Sequence, residues 1–109
     1  MKNMSGPSIL SKKGAAYLRI GKDTEAISEF NRIIEIGNTL LTQSKKEEAL
    51  DCAKHLKSVL KHHLSRTQSI PEFGQLWYDL GELFKKLNQV EKAKQCDAIV
   101  DNFVFESNR

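Results

Sequence analysis

Between Trp77 and Ala93, large apolar side chains recur at helical spacing around a residue with no side chain. Trp77, Leu80 and Phe84 flank Gly81, and Ala93 follows that glycine by twelve positions. The same interval joins Gly14 to Ala26 and Gly37 to Ala49, and a large apolar or aromatic residue stands three places after each glycine: Tyr17, Leu40 and Phe84. A helix bare at one point, set against a helix offering a methyl at the crossing, lets two backbones approach closely while bulky neighbours fill the flanks. Three recurrences of one interval predict repeated helical hairpins.

The rest of the chain divides accordingly. Residues 1–7 read as a tail, 8–105 as a single helical domain and 106–109 as a second tail. The first predicted helix spans 8–20, with Leu10, Gly14 and Tyr17 inward, and Gly21 supplies a left-handed turn after it. Asp23 is expected to cap a second helix over 24–42, in which Ala26, Phe30, Ile33 and Leu40 keep phase straight through Gly37; the alternative is a stop at Gly37-Asn38. Three further starts each offer a cap residue with Glu three positions on, the pattern of reciprocal amide capping: Ser44 with Glu47, Ser69 with Glu72, and Asn88 with Glu91. They open helices over 45–65, 70–87 and 89–104. The third is expected to bury Ala49, Ala53, Leu56, Leu60 and Leu64, and the last Val90, Ala93, Cys96, Val100 and Phe103.

A chain of 109 residues supplies one core, and two prolines favour helices over a turn-rich β fold. No apolar run approaches the roughly 20 residues that span a bilayer, and residues 1–7 lack the apolar stretch of a signal peptide, so a cytoplasmic or nuclear location without membrane contact is expected. Cys52 and Cys96 have no partner at metal-site or redox spacing and read as small core residues. A net charge of +3 is too modest to point to nucleic acid by itself.

Charge distribution is more informative. From Lys54 to Arg66 the chain carries Lys54, Lys57, Lys61, Arg66 and the three histidines His55, His62 and His63, with no acid until Glu72. Lys54, Lys57 and Lys61 share one helical face, which reads either as a solvated outer surface or as a stripe suited to an acidic peptide. The alternative occupant is a nucleic-acid or other phosphate backbone, although no aromatics interleave with these charges as single-strand binding prefers. Cys52 and His55 stand one turn apart, but no second ligand pair completes a metal site. With no nucleophile–base set and no Gly-rich phosphate loop, the residues predict neither an enzyme nor a bound cofactor. At the C-terminal end Phe103 and Phe105 cannot both face one helix interior, so either a partner or homodimer contact lies at that edge or Phe105 folds back over the fourth helix.

The stretch Trp77-x2-Leu80-Gly81-x2-Phe84, with Ala93 in the following helix, resembles a tetratricopeptide repeat, and Gly14, Tyr17, Gly21, Ala26 and Phe30 fall on the same family positions. Lys13 departs from the family's leucine and Asp97 from its second-helix aromatic. The resemblance covers 10–36 and 75–96, and the longer central helices are similar to the extended repeats of kinesin light chains. It implies an all-α, right-handed array of about five antiparallel helices, acting as a protein-interaction adaptor or complex subunit. It further implies a concave binding side formed by first helices, where Lys12, Lys54, Lys57, Lys61, Tyr78 and Asp79 are the candidate partner contacts. The family's carboxylate clamp needs Lys and Asn where this chain has Ser11, Ala15, Gln75 and Asp79, so binding of chaperone tails is not implied.

Overall fold

A computed structural model of the protein describes residues 6–103. Those residues form six helices, α1 (Pro7–Arg19), α2 (Asp23–Thr42), α3 (Lys46–His62), α4 (Leu64–Thr67), α5 (Pro71–Lys86) and α6 (Val90–Val100), and no strand among the described residues. The architecture is the all-α helical array expected, with one added turn of helix, α4.

Three of the connections are built alike. After α1, the Gly21 amide donates to Leu18 O (3.1 Å) and the Lys22 amide to Tyr17 O (2.9 Å). After α2, Ser44 donates to Leu41 O (3.0 Å) and Lys45 to Leu40 O (2.8 Å); after α5, Asn88 donates to Lys85 O (3.0 Å) and Gln89 to Phe84 O (2.9 Å). Each is a Schellman closure, which requires its central residue in the left-handed region, and φ is +81° at Gly21, +64° at Ser44 and +63° at Asn88. Each central residue lies seven positions after Gly14, Gly37 or Gly81, so the interval seen in the sequence corresponds to one repeated turn.

These turns correct the capping expectation. Ser44 and Asn88 end the helices before them, and the residues flanking α3, α5 and α6 at their starts are Lys45, Ile70 and Gln89, none with a side-chain cap. Asp23 is the first residue of α2 rather than its cap, which is Lys22. The cause is geometric. A Schellman turn hands one helix to the next with a single residue between the left-handed position and the new helix, and a left-handed residue points its side chain away from the amides ahead of it.

α2 runs unbroken through Gly37, as the phase of its apolar residues requires. It packs on α1, α3 and α5, while α5 also packs on α3 and α6, so α2 belongs to two hairpins at once. The glycines sit where helices cross. A Cβ at Gly14 would lie 2.3 Å from the Phe30 ring, one at Gly37 2.9 Å from Leu83 Cδ2, and one at Gly81 3.2 Å from Cys96 Cβ and 3.8 Å from the Ala93 carbonyl oxygen. The partner of Gly81 is thus chiefly Cys96, one turn beyond the alanine that marked the interval. Trp77, Phe30, Phe73 and Phe84 fill the spaces between crossings and are fully buried, with Phe30 and Phe73 edge-to-face at 6.3 Å.

Two ends differ from expectation. The helix predicted over 45–65 stops at His62, and a single turn follows in which Thr67 Oγ1 donates back to His63 O (3.0 Å) before the extended Ile70 leads into Pro71. The last helix stops at Val100, and Phe103 enters the core, 5% exposed, from a turn in which its amide donates to Val100 O (3.0 Å). Val90, expected inside, is 58% exposed because it stands at the first position of α6, before that helix meets α5.

Candidate interaction groove between the first and third helices

Because α1 packs directly on α3, residues forty positions apart come to line one groove of about 320 Å³. From α1 it takes Ser8, Ser11, Lys12, Ala15 and Arg19; from α3 and its end it takes His55, Ser58, Val59, His62 and His63. Ser11 is almost wholly buried, and its Oγ has no hydrogen-bond partner among the described residues. Lys12, Arg19 and His62 are exposed along the rims. No acid lines the groove; Asp51 reaches it only through His55, whose Nδ1 lies 3.6 Å from the carboxylate and 2.9 Å from the Asp51 carbonyl.

Burial, with help from the neighbouring charges of His62, Arg66 and Arg19, holds His63 below its ordinary range. The unfolded chain therefore takes up a proton before the folded one does. The resulting stability is complete above about pH 6.5 and is lost as pH falls toward the folded value. A series of thermal unfolding curves from about pH 7.5 to 5 should show a falling midpoint, and His63→Gln should flatten that slope. A slope unchanged in the variant would assign the effect elsewhere.

The residues singled out from sequence separate in space. Lys12 lies in the groove, beside histidines that the sequence had grouped with the lysine stripe. Lys54 and Lys61 are exposed on α3 outside it, and Lys57 reaches across to α6, where its Nζ donates to Gln95 Oε1. The basic stripe is therefore divided, with its middle lysine engaged in a hydrogen bond to α6. Tyr78, 48% exposed, and Asp79, which accepts a hydrogen bond from Gln75 Nε2 (3.0 Å), stand on α5 away from the groove. Phe103, singled out as a partner contact, is 5% exposed, and Phe105 lies outside the described residues. Arg19, Ser11 and Ser58 were missed as site residues, since helical periodicity relates positions within one helix and says nothing about which two helices share a groove.

A second, larger cleft of about 680 Å³ opens between the end of α2 and the start of α3, with Ile36, Leu40 and Cys52 inside and Glu47, Glu48 and Asp51 at its mouth. The molecule thus carries a basic groove and an acidic cleft on either side of α3. In the acidic cleft, burial pushes the Cys52 thiol up to about 11, with Asp51 and Glu48 acting in the same direction, which keeps it protonated at neutral pH. Burial also raises the Cys96 thiol to about 11. Among the described residues no group of three metal-ligating side chains comes together, and no helix is long and apolar enough to cross a membrane.

An all-helical chain of antiparallel hairpins, closed by the same turn three times and offering grooves between its helices, fits a helical repeat resembling the tetratricopeptide type. Residues 74–96, from the middle of α5 into α6, match the tetratricopeptide repeat family model. Neither the curated proteins nor the solved structures provided a match. Tetratricopeptide repeats generally serve as interaction units between proteins.

Proposed function

We propose that the protein is a non-enzymatic interaction module, an adaptor or subunit of a multiprotein complex, that holds a segment of another protein in the groove between α1 and α3. The observation that carries this reading is the tetratricopeptide match over 74–96 in a chain that builds the same hairpin turn at two further places. The partner segment is acidic, in keeping with a groove that has Lys12, Arg19 and three histidines on its walls and no carboxylate.

Affinity capture with the nuclease-treated full chain tests this. Capture should survive the nuclease and weaken by about tenfold or more in the variant carrying Lys12→Glu and Arg19→Glu, as expected for reversing two cations that line the groove. Circular dichroism of that variant should match the parent. Capture that vanishes with nuclease, or that ignores both substitutions, would contradict the reading. The competing possibility, a phosphate backbone lying along α3, is disfavoured because Lys57 is engaged with Gln95, and a steep loss of binding with salt is its distinguishing sign.

A further inference from the structure

The composition of the groove, more than its charge, bears on what it holds. Three hydroxyl donors, Ser8, Ser11 and Ser58, lie in the same groove as the Lys12 ammonium and the Arg19 guanidinium, with His55, His62 and His63 along the opposite wall. The Ser11 hydroxyl is the telling member. It is buried, lines the groove and has no partner among the described residues, an arrangement that costs stability unless something supplies an acceptor.

A carboxylate has two oxygens and one charge. That leaves several of these donors unanswered and one of the two fixed lining charges, Lys12 and Arg19, uncompensated. A phosphate monoester brings three acceptor oxygens and a charge of about −1.5 to −2 at neutral pH, which matches both. A phosphate backbone brings only two free oxygens and one charge per diester; the lining also contains no Phe, Tyr or Trp on which a base can stack, and the groove holds about 320 Å³, the scale of one side chain and its flanks.

We infer that the α1–α3 groove recognises a phosphorylated serine or threonine in the partner polypeptide, with Ser11, Lys12 and Arg19 as its chief contacts. This inference rests on that groove being the interaction site. The phosphoryl oxygens accept from the Lys12 and Arg19 side chains at the rim and from the Ser11 hydroxyl at the floor. Binding would then depend on a kinase and be reversed by a phosphatase.

The probe is a fluorescein-labelled pool of degenerate peptides centred on phosphoserine, read by anisotropy against the full chain, with matched pools centred on serine and on glutamate. The phosphoserine pool should bind about tenfold or more tightly than either control, the margin that charge-assisted hydrogen bonds to a dianion provide. Lys12→Glu with Arg19→Glu should abolish the difference. Ser11→Ala should weaken phosphoserine binding severalfold while leaving the melting temperature unchanged or raised, which a purely structural serine would not do. Lys54→Glu with Lys61→Glu, outside the groove, should leave the phosphoserine preference in place.

Equal binding of the glutamate and phosphoserine pools overturns the inference, as does a preference insensitive to the Lys12 and Arg19 substitutions. So does competition by a single-stranded oligonucleotide at lower concentration than the phosphopeptide. If the pools show no preference while affinity capture still depends on Lys12 and Arg19, the phosphate inference fails and the interaction reading stands. If capture is also indifferent to them, both fail.

Discussion

Replacing Gly14 with alanine should lower folding stability by about 2 kcal/mol, although the same change in an open helix would stabilise it by about 1 kcal/mol. The added methyl would lie 2.3 Å from one carbon of the Phe30 ring and within 2.9 Å of two more. That ring cannot step aside, because Phe30 is fully buried and meets Phe73 edge-to-face. Crowding a packed core costs about 1–3 kcal/mol, and here the upper part of that range must outweigh the propensity gain. Urea unfolding measures it, and Phe30→Leu in the same chain should recover part of the loss by giving the methyl room. A Gly14→Ala chain at least as stable as the parent would show that the α1–α2 crossing is looser than described.

The contrast with the other glycines sharpens the test. At Gly37 the one tight approach is to Leu83 Cδ2 at 2.9 Å, the far end of a flexible side chain, and Cys52 Cβ stands at an ordinary 3.7 Å, so the cost is smaller. At Gly81 it would stand 3.2 Å from Cys96 Cβ and 3.3 Å from an Asp97 carboxylate oxygen, so alanine should be close to neutral there and leucine disruptive. The order of cost, Gly14 above Gly37 and Gly81, follows from what each methyl meets and could not be taken from the common interval.

Trp77→Ala should cost about 3–5 kcal/mol, the most of any single truncation in this core. Trp77 is wholly buried in α5, the helix that joins the α2 and α3 layer to α6, so its removal leaves a cavity bordered by helices from both sides. For a domain of this size that approaches the whole of its stability. Trp77→Phe should be much milder, partly because the indole Nε1–H is buried without a hydrogen-bond partner among the described residues, and phenylalanine removes that unsatisfied donor. Thermal or urea unfolding of the pair separates volume from polarity. Equal losses for alanine and phenylalanine would mean that the ring's size is not what the position uses.

Much of this fold was legible because it depends on the places where side chains are missing. Gly14, Gly37 and Gly81 announce close crossings by themselves, and the twelve-residue interval to alanine sets the length of each turn. What could not be read was the identity of the turn. Ser44 and Asn88 each stand three residues before a glutamate, which is the signature of an N-cap, yet both adopt positive φ and close the preceding helix. Asn tolerates that conformation well and serine less so, and a pattern of residue types cannot distinguish the two roles when only three residues separate one helix from the next. Phe103 was placed on a helix that in fact ends at Val100, so its burial was anticipated for a different reason.

The groove was less legible than the fold. Lys12 and the histidines were visible as charges, and the lysine stripe on α3 attracted attention because its spacing is regular. Which of them face a partner depends on α1 lying against α3, a contact between elements separated by the whole of α2. That contact places Arg19 and Ser11 opposite His55 and His62 and leaves Lys57 to α6.

The account depends most on the bare backbone of Gly14 lying under an aromatic ring. A nuclear Overhauser spectrum of the full chain should show cross-peaks between the Gly14 α protons and the Phe30 ring protons, with those α protons moved upfield by the ring, alongside contacts from Gly37 to the Leu83 methyls and from Gly81 to the Cys96 β protons. Gly14 α protons at ordinary shifts and without contact to Phe30 would contradict the helix crossing, and with it the groove that the crossing positions.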